Sequence, residues 1–273
     1  MNNTDFRKKI IGASSFASPL DTLRTEVDSI ELYIPKLGLY KGRKLIKENV
    51  AELCDFFSTS NTSTTMHAPY YGDLPNYPVE LVVDTSNMGK AQFKLMEDSI
   101  CLASKFDCSV LVVHPGIIIG DREKCFARMI ENLKNLAHYA QNCGVILGLE
   151  NKEGTNPLNL CCEVDEHMRA IKEVDSPCLK ATFDIGHANL TCGGDKRKLQ
   201  DFVKKLDNVV HVHVHDNTGI TSEKYFGDLH GAPGEGNIDF SVLSDLRCNG
   251  VYNLEVFSME DVRKGKRMLD NIK

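Results

Sequence analysis

Nine side chains able to hold a metal ion or move a proton stand at or just beyond the ends of short apolar runs. They are His67, His114, Glu150, Asp184, His187, His213, His215, Asp216 and Glu255. Carboxylates and imidazoles gathered away from water repel one another or lack partners unless a counter-charge joins them. A divalent cation supplies that charge, and mixed oxygen and nitrogen donors suit Zn²⁺, Mn²⁺ or a relative. One such residue proves little: a lone His114 reads as a hydrogen-bonded core histidine, and Glu150 or Glu255 alone as half of a buried salt bridge. Recurrence at five run ends is what points to a shared ion. His211 lies deeper on the strand face of His213 and His215 and reads as a core or supporting histidine. His138 and His167 fall in helical stretches and read as solvated. The stretch from Thr218 to Gly236 adds Asp228 and His230, two residues apart, ahead of GAPGEGNIDF. Gly234 and Gly236 let its backbone turn tightly under a ligand, and so long a loop in a compact fold is usually functional.

The elements that must position these residues alternate along the chain. Runs rich in Val and Ile cover 9–14, 29–35, 64–70, 109–116, 144–151, 179–187, 209–217 and 252–257. Helical periodicity fills the gaps, as in 90–106 and 122–140, and 258–273 reads as a closing helix with Ser258 as N-cap. Continuous apolar runs predict strands covered on both faces, and strand–helix alternation predicts a parallel sheet. Eight strands, each followed by a helical or partly helical stretch, within about 250 residues match a (β/α)₈ barrel with polar groups gathered at the C-terminal strand ends. A doubly wound open sheet is the alternative, but no Gly-rich phosphate loop follows an early strand. No linker or low-complexity tract divides residues 1–273, so one domain is expected.

Composition narrows the function. The chain is 42% hydrophobic and 26% charged, which excludes disorder, collagen-like repeats and coiled coil. Its formal charge of −6 gives no general pull toward nucleic acid or an anionic membrane. No apolar run approaches the roughly 18 residues of a membrane span, and MNNTDFRKKIIGASS lacks a signal-peptide core. The 10 cysteines form no CxxC pair and read as reduced thiols of a cytoplasmic protein.

HAPY (67–70), HPG (114–116), LEN (149–151), DIGHA (184–188), HVHDN (213–217), DLHGAPGEGNIDF (228–240) and LEVF (254–257) follow one another at the run ends. Each is weak alone; seven in order are strong. From about Ile10 onward the chain resembles the xylose-isomerase-like TIM-barrel superfamily, which groups endonuclease IV with sugar isomerases and epimerases. The resemblance implies that endonuclease IV's three-metal cluster would fall on His67, His114, Glu150, Asp184, His187, His213, Asp228, His230 and Glu255. The single-metal epimerases imply the subset Glu150, Asp184, His213 and Glu255, in which the two glutamates flank the substrate carbon as acid and base. One to three ions, Zn²⁺ or Mn²⁺, are thus expected.

Two activities follow. In one, a sugar or sugar phosphate loses a proton beside a carbonyl held by the ion, with Glu150 and Glu255 exchanging the proton. In the other, clustered zinc ions cleave DNA at abasic sites. The chain departs from endonuclease IV in reading GASSF (12–16) where that family has GAHVS, in carrying YIPKLGLYKGRK (33–44) where it has a DNA-probing loop, and in lacking tryptophan. These departures favour the small-molecule isomerase; a non-catalytic metal-bound interaction module is a third class, opposed by the intact carboxylate pair. Tyr70 and Tyr71 could stack on a base or close a sugar pocket. With His213 as ligand, His215 or Asp216 is expected to contact substrate or orient a ligand.

Overall fold

The computed structural model describes residues 9–72 and 76–272. Its sheet is a closed barrel of eight parallel strands: β1 Ile10–Ser14, β2 Ser29–Tyr33, β3 Ser63–His67, β4 Cys108–Val113, β5 Leu147–Glu150, β6 Leu179–Asp184, β7 Val209–Val214 and β8 Cys248–Leu254. Each strand pairs with its neighbour in sequence, and β8 closes onto β1. A small antiparallel hairpin, Tyr40–Lys41 with Lys44–Leu45, lies outside the barrel. The helices are α1 Leu20–Glu26, α2 Lys47–Ser58, α3 Lys90–Lys105, α4 Arg122–Cys143, α5 Val164–Val174, α6 Ile185–Thr191, α7 Lys196–Lys205 and α8 Met259–Asp270. Among the described residues no helix is long and apolar enough to cross a membrane.

All eight expected strands form, but most end two or three residues early. His114, Asn151, His215 and Glu255 lie just past the ladder, where His114 meets Glu150, Asn151 the Asp184 backbone, His215 the Asp184 carboxylate and Glu255 the His213 ring. His187, expected at a strand end, instead lies in α6. Asp184 caps that helix, its Oδ1 accepting from the His187 backbone N–H at 2.7 Å. Ser258 caps α8 as expected, accepting from the Asp261 N–H at 3.2 Å. His138 is exposed, but His167 is not the solvated residue that helical position suggested. It is fully buried, and its Nε2 donates to the Leu149 carbonyl at 2.8 Å. In this way α5 is tied to the strand that ends in Glu150.

The helices pack by the usual rule. In α4, Cys125, Phe126, Met129, Leu133, Leu136 and Ala140 recur every three or four residues and are buried against the barrel. All ten cysteines are free, five of them buried, so the thiols fill core space as expected. The barrel interior is different, because it is largely polar. Ser14, Glu31, Thr65, Glu150, Thr182, Asp184, His211, His213 and Asn253 are all fully or almost fully buried. Register sets them in rows: Asp184 pairs with His213 across β6 and β7, and His213 with Asn253 across β7 and β8. Gly148 allows this packing, since a Cβ there would overlap Thr182 Oγ1 and press on Val110 Cγ1. Gly148→Ala should therefore cost about 1–3 kcal/mol in urea unfolding, and adding Thr182→Ala should recover most of the loss. Additive losses in the double variant would contradict the clash.

Candidate metal centre

At the C-terminal mouth of the barrel all nine sequence-picked residues lie close together, within five overlapping clusters of donor atoms, which we divide into three adjoining groups. At the centre, His213 Nδ1 has Glu255 Oε2 at 3.4 Å, Glu150 Oε1 at 3.6 Å and Asp184 Oδ2 at 3.7 Å. This nitrogen is buried and makes no hydrogen bond. Three carboxylate oxygens converging on one imidazole nitrogen is the way ligands stand around a cation, so the donor set fits a divalent ion.

A second group adjoins the first through Glu150. The other oxygen of that carboxylate, Oε2, lies 2.9 Å from His114 Nε2 and 3.6 Å from His67 Nε2. His67 donates from Nδ1 to the Ala68 carbonyl at 2.8 Å, which leaves Nε2 available as a ligand. Tyr70 covers this pair, its ring 4.3 Å from that of His114, and its hydroxyl meets Tyr33 at 3.1 Å. In the third group Asp228 Oδ2 lies 3.2 Å from both His187 Nε2 and His230 Nε2. His230 donates from Nδ1 to the Glu255 carbonyl at 2.8 Å, so Nε2 is the nitrogen turned toward Asp228.

His215 and Asp216, both expected near substrate, differ. His215 Nε2 reaches Asp184 at 3.1 and 3.2 Å, and its ring stacks on His230 with centroids 4.0 Å apart. Gly186 makes room for that ring, which a Cβ at position 186 would strike. His215 is thus placed to orient Asp184. Asp216 corrects the expectation: its oxygens accept from the backbone N–H groups of Asn217, Gly234, Gly236 and Ile238. It anchors the glycine-rich loop rather than reaching toward substrate.

Sequence reasoning missed Glu31. It is fully buried, and its Oε2 lies 2.9 Å from both His211 Nε2 and His213 Nε2. Its Oε1 accepts from Ser14 Oγ and Asn253 Nδ2, both at 3.0 Å. By holding the proton of His213 on Nε2, Glu31 fixes the tautomer that turns Nδ1 to the three carboxylates. The signal was present in SIELYIP, as a single carboxylate inside a strand expected to be covered on both faces. Asn151 was missed as well. It exchanges two 2.9 Å hydrogen bonds with the Asp184 backbone, and its own carbonyl accepts from His187 Nδ1 at 2.9 Å.

The charges are strongly coupled. Burial by itself would raise the Glu150 carboxyl, but His114, His213 and His187 outweigh it and hold the group well below the usual carboxylate range. Burial pushes the His114 imidazolium down to about 3, leaving a neutral imidazole. For His230, burial is overcome by Asp228 and Glu255, which push the imidazolium up to about 10.

The chain belongs to the xylose isomerase-like TIM barrel family, whose model matches residues 22–272. An uncharacterized protein of Methanocaldococcus jannaschii is 30% identical over 237 residues, which cover 82% of this chain and 75% of that protein. Fructoselysine 3-epimerase of Shigella flexneri is 25% identical over 205 residues, 71% of this chain and 70% of that one. A crystal structure of a D-tagatose 3-epimerase-like protein superposes with a TM-score of 0.78 at 27% identity, covering 96% of each chain.

Two outcomes follow from the geometry. Glu31→Gln should weaken divalent-ion affinity about 10–100-fold, read by competition with a chromogenic chelator; unchanged affinity would mean that Glu31 does not orient His213. Burial lowers the His213 imidazolium, but Glu255, Glu31 and Glu150 outweigh it and hold the group well above its usual range. An ion bound at this histidine displaces a proton, so loading should release protons, and affinity should rise with pH through that range. Calorimetry in buffers of different ionisation enthalpy measures this, and an affinity flat in pH would contradict it.

Proposed function

We propose that this protein is a divalent-metal-dependent isomerase or epimerase acting on a small sugar or sugar phosphate. The observation that carries the reading is the central group, in which Glu150 and Glu255 approach the same imidazole nitrogen, with Asp184 alongside. Two carboxylates beside one ligand site are what a proton transfer next to a carbonyl requires. That two relatives are named as 3-epimerases, or like one, supports the same chemistry.

Glu150, Asp184, His213 and Glu255 would hold the ion, with His67 and His114 available for a second. When bound, a divalent cation supplies electrostatic stabilisation of negative charge developing on the substrate oxygens. One of Glu150 and Glu255 takes the proton from the carbon beside the carbonyl, and the other, protonated beforehand, delivers one to rebuild the C–H bond. Delivery to the opposite face inverts that centre, whereas delivery to the former carbonyl carbon, with the neighbouring hydroxyl proton passing to the former carbonyl oxygen, moves the carbonyl. His215 steadies Asp184, and Glu31 steadies His213. Phe16, Tyr33, Tyr70 and Phe257 wall one side of the mouth: Phe16 lies 5.5 Å from Tyr33 and 5.3 Å from Phe257, and Tyr33 lies 6.3 Å from Tyr70. Such a wall excludes water and suits the apolar face of a sugar ring or chain.

A second reading, zinc-dependent cleavage of a phosphodiester at abasic sites in DNA, is favoured by one observation. The third group, His187, Asp228 and His230, is assembled as closely as the others. One experiment separates the two. Metal-loaded protein is incubated with a panel of ketoses and ketose phosphates in deuterated water and, in parallel, with an abasic-site duplex. The isomerase reading expects deuterium in the sugar and an intact duplex, with exchange reduced at least about 100-fold in Glu150→Gln and in Glu255→Gln. Duplex nicking without sugar exchange, or full exchange in either variant, would overturn it.

A further inference from the structure

Lys152, two residues past Glu150, turns into the barrel mouth beside the third group. Its Nζ lies 3.2 Å from His187 Nε2 and 3.3 Å from Glu153 Oε2. His187 donates from Nδ1 to the Asn151 carbonyl at 2.9 Å, so Nε2, which also lies 3.2 Å from Asp228 Oδ2, is the nitrogen it has for an ion. Nε2 is the atom His187 would offer to an ion shared with Asp228 and His230. An ion bound to it at about 2.1 Å would stand within about 5 Å of the lysine ammonium, with little water to screen the two like charges. The ammonium also faces Glu153, whose Oε2 is buried and makes no hydrogen bond. A fixed positive charge is thus already part of this side of the site.

We propose that Lys152 is the built-in cation of the third group: it stands beside His187 Nε2, where a shared ion would bind, so the chain retains divalent ions at the other two groups but not tightly at this one. The inference rests on the metal-dependent reading above and deepens it, because a site limited to one or two ions serves proton transfer beside a carbonyl rather than a three-ion phosphodiester cleavage. Lys152 also acts on His114 from a distance, but among the described residues no lysine or arginine hydrogen-bonds His67 or His114, which meet Tyr70, Glu150 and His213 instead.

The test counts ions and needs no substrate. Wild-type protein, Lys152→Met and Lys152→Gln are stripped with chelator, reloaded with excess Zn²⁺, desalted and analysed for metal per chain, with circular dichroism to monitor the fold. Wild type should retain one or two ions, and each folded variant one more. Reloading with Co²⁺ should add a visible absorption band in the variants, from the extra histidine-ligated ion. Three tightly held ions in wild type would overturn the inference even if neither variant folded, and so would an unchanged count in a folded variant. Wild type that retains no ion would instead defeat the metal-dependent reading itself.

Discussion

Glu150 is buried at the mouth of a closed barrel, and its two oxygens face two different sets of imidazoles. Oε1 looks toward His187 and His213, and Oε2 toward His67 and His114. A carboxylate in such a place is tolerable only if positive charge or donors surround it, because neither water nor backbone is at hand to solvate it. Asp184, Glu255 and Asp228 nearby also draw on imidazoles, Asp184 with the His187 backbone N–H in addition. Each therefore stands within reach of at least one imidazole, and the barrel mouth is a lattice of alternating acids and bases. The lattice is self-consistent only with the strands in this register, since a slip of one residue would turn each side chain to the helix layer.

The lattice extends downward. Glu31 and His211 support His213 from within the barrel, and Ser14, level with Glu31, and Asn253, level with His213, complete a network that joins β1, β2, β7 and β8. Most of a barrel's stability comes from apolar packing. Here that packing lies outside the strands, where α3, α4 and the other helices cover Leu111, Leu147, Leu149 and Phe183. The interior has been given over to polar groups that support the mouth. The division explains why small residues such as Gly148 are needed inside: hydrogen-bonded side chains need fixed distances, and an extra methyl would move them.

Two chemistries compete for one donor set because the ligands speak to charge and not to substrate. What differs is what surrounds them. Phe16, Tyr33, Tyr70 and Phe257 form a wall, and Lys152 places a cation beside His187. The glycine-rich loop is pinned by Asp216 and presents Asp228 and His230 from a fixed distance. His230 itself adopts a left-handed backbone conformation, φ 49°, an outlier held in place by the Glu255 carbonyl and the stacked His215 ring.

The order of apolar runs and helical stretches determined the barrel, because eight strand–helix repeats without a phosphate loop have few other ways to bury their faces. The placing of His67, His114, Glu150, Asp184, His213 and Glu255 at strand ends was legible for the same reason, since side-chain alternation and strand length are local properties. What each of these groups touches was not local. Glu31 and His213 meet across 182 positions of chain, and no spacing rule reports a contact through a barrel interior. His167 looked solvated because its helix is amphipathic, and only packing against β5 shows that its face is the covered one. Asp216 carries the residue type of a ligand, yet the loop folding back over it takes both its oxygens. Lys152 reads in sequence as one more charge in a loop, and becomes a neighbour of His187 only because β5 and α6 converge at the mouth. Sequence fixes which groups are available and on which side of the sheet they stand; the pairing of buried charges is a property of distance, and distance across the barrel exists only once it has closed.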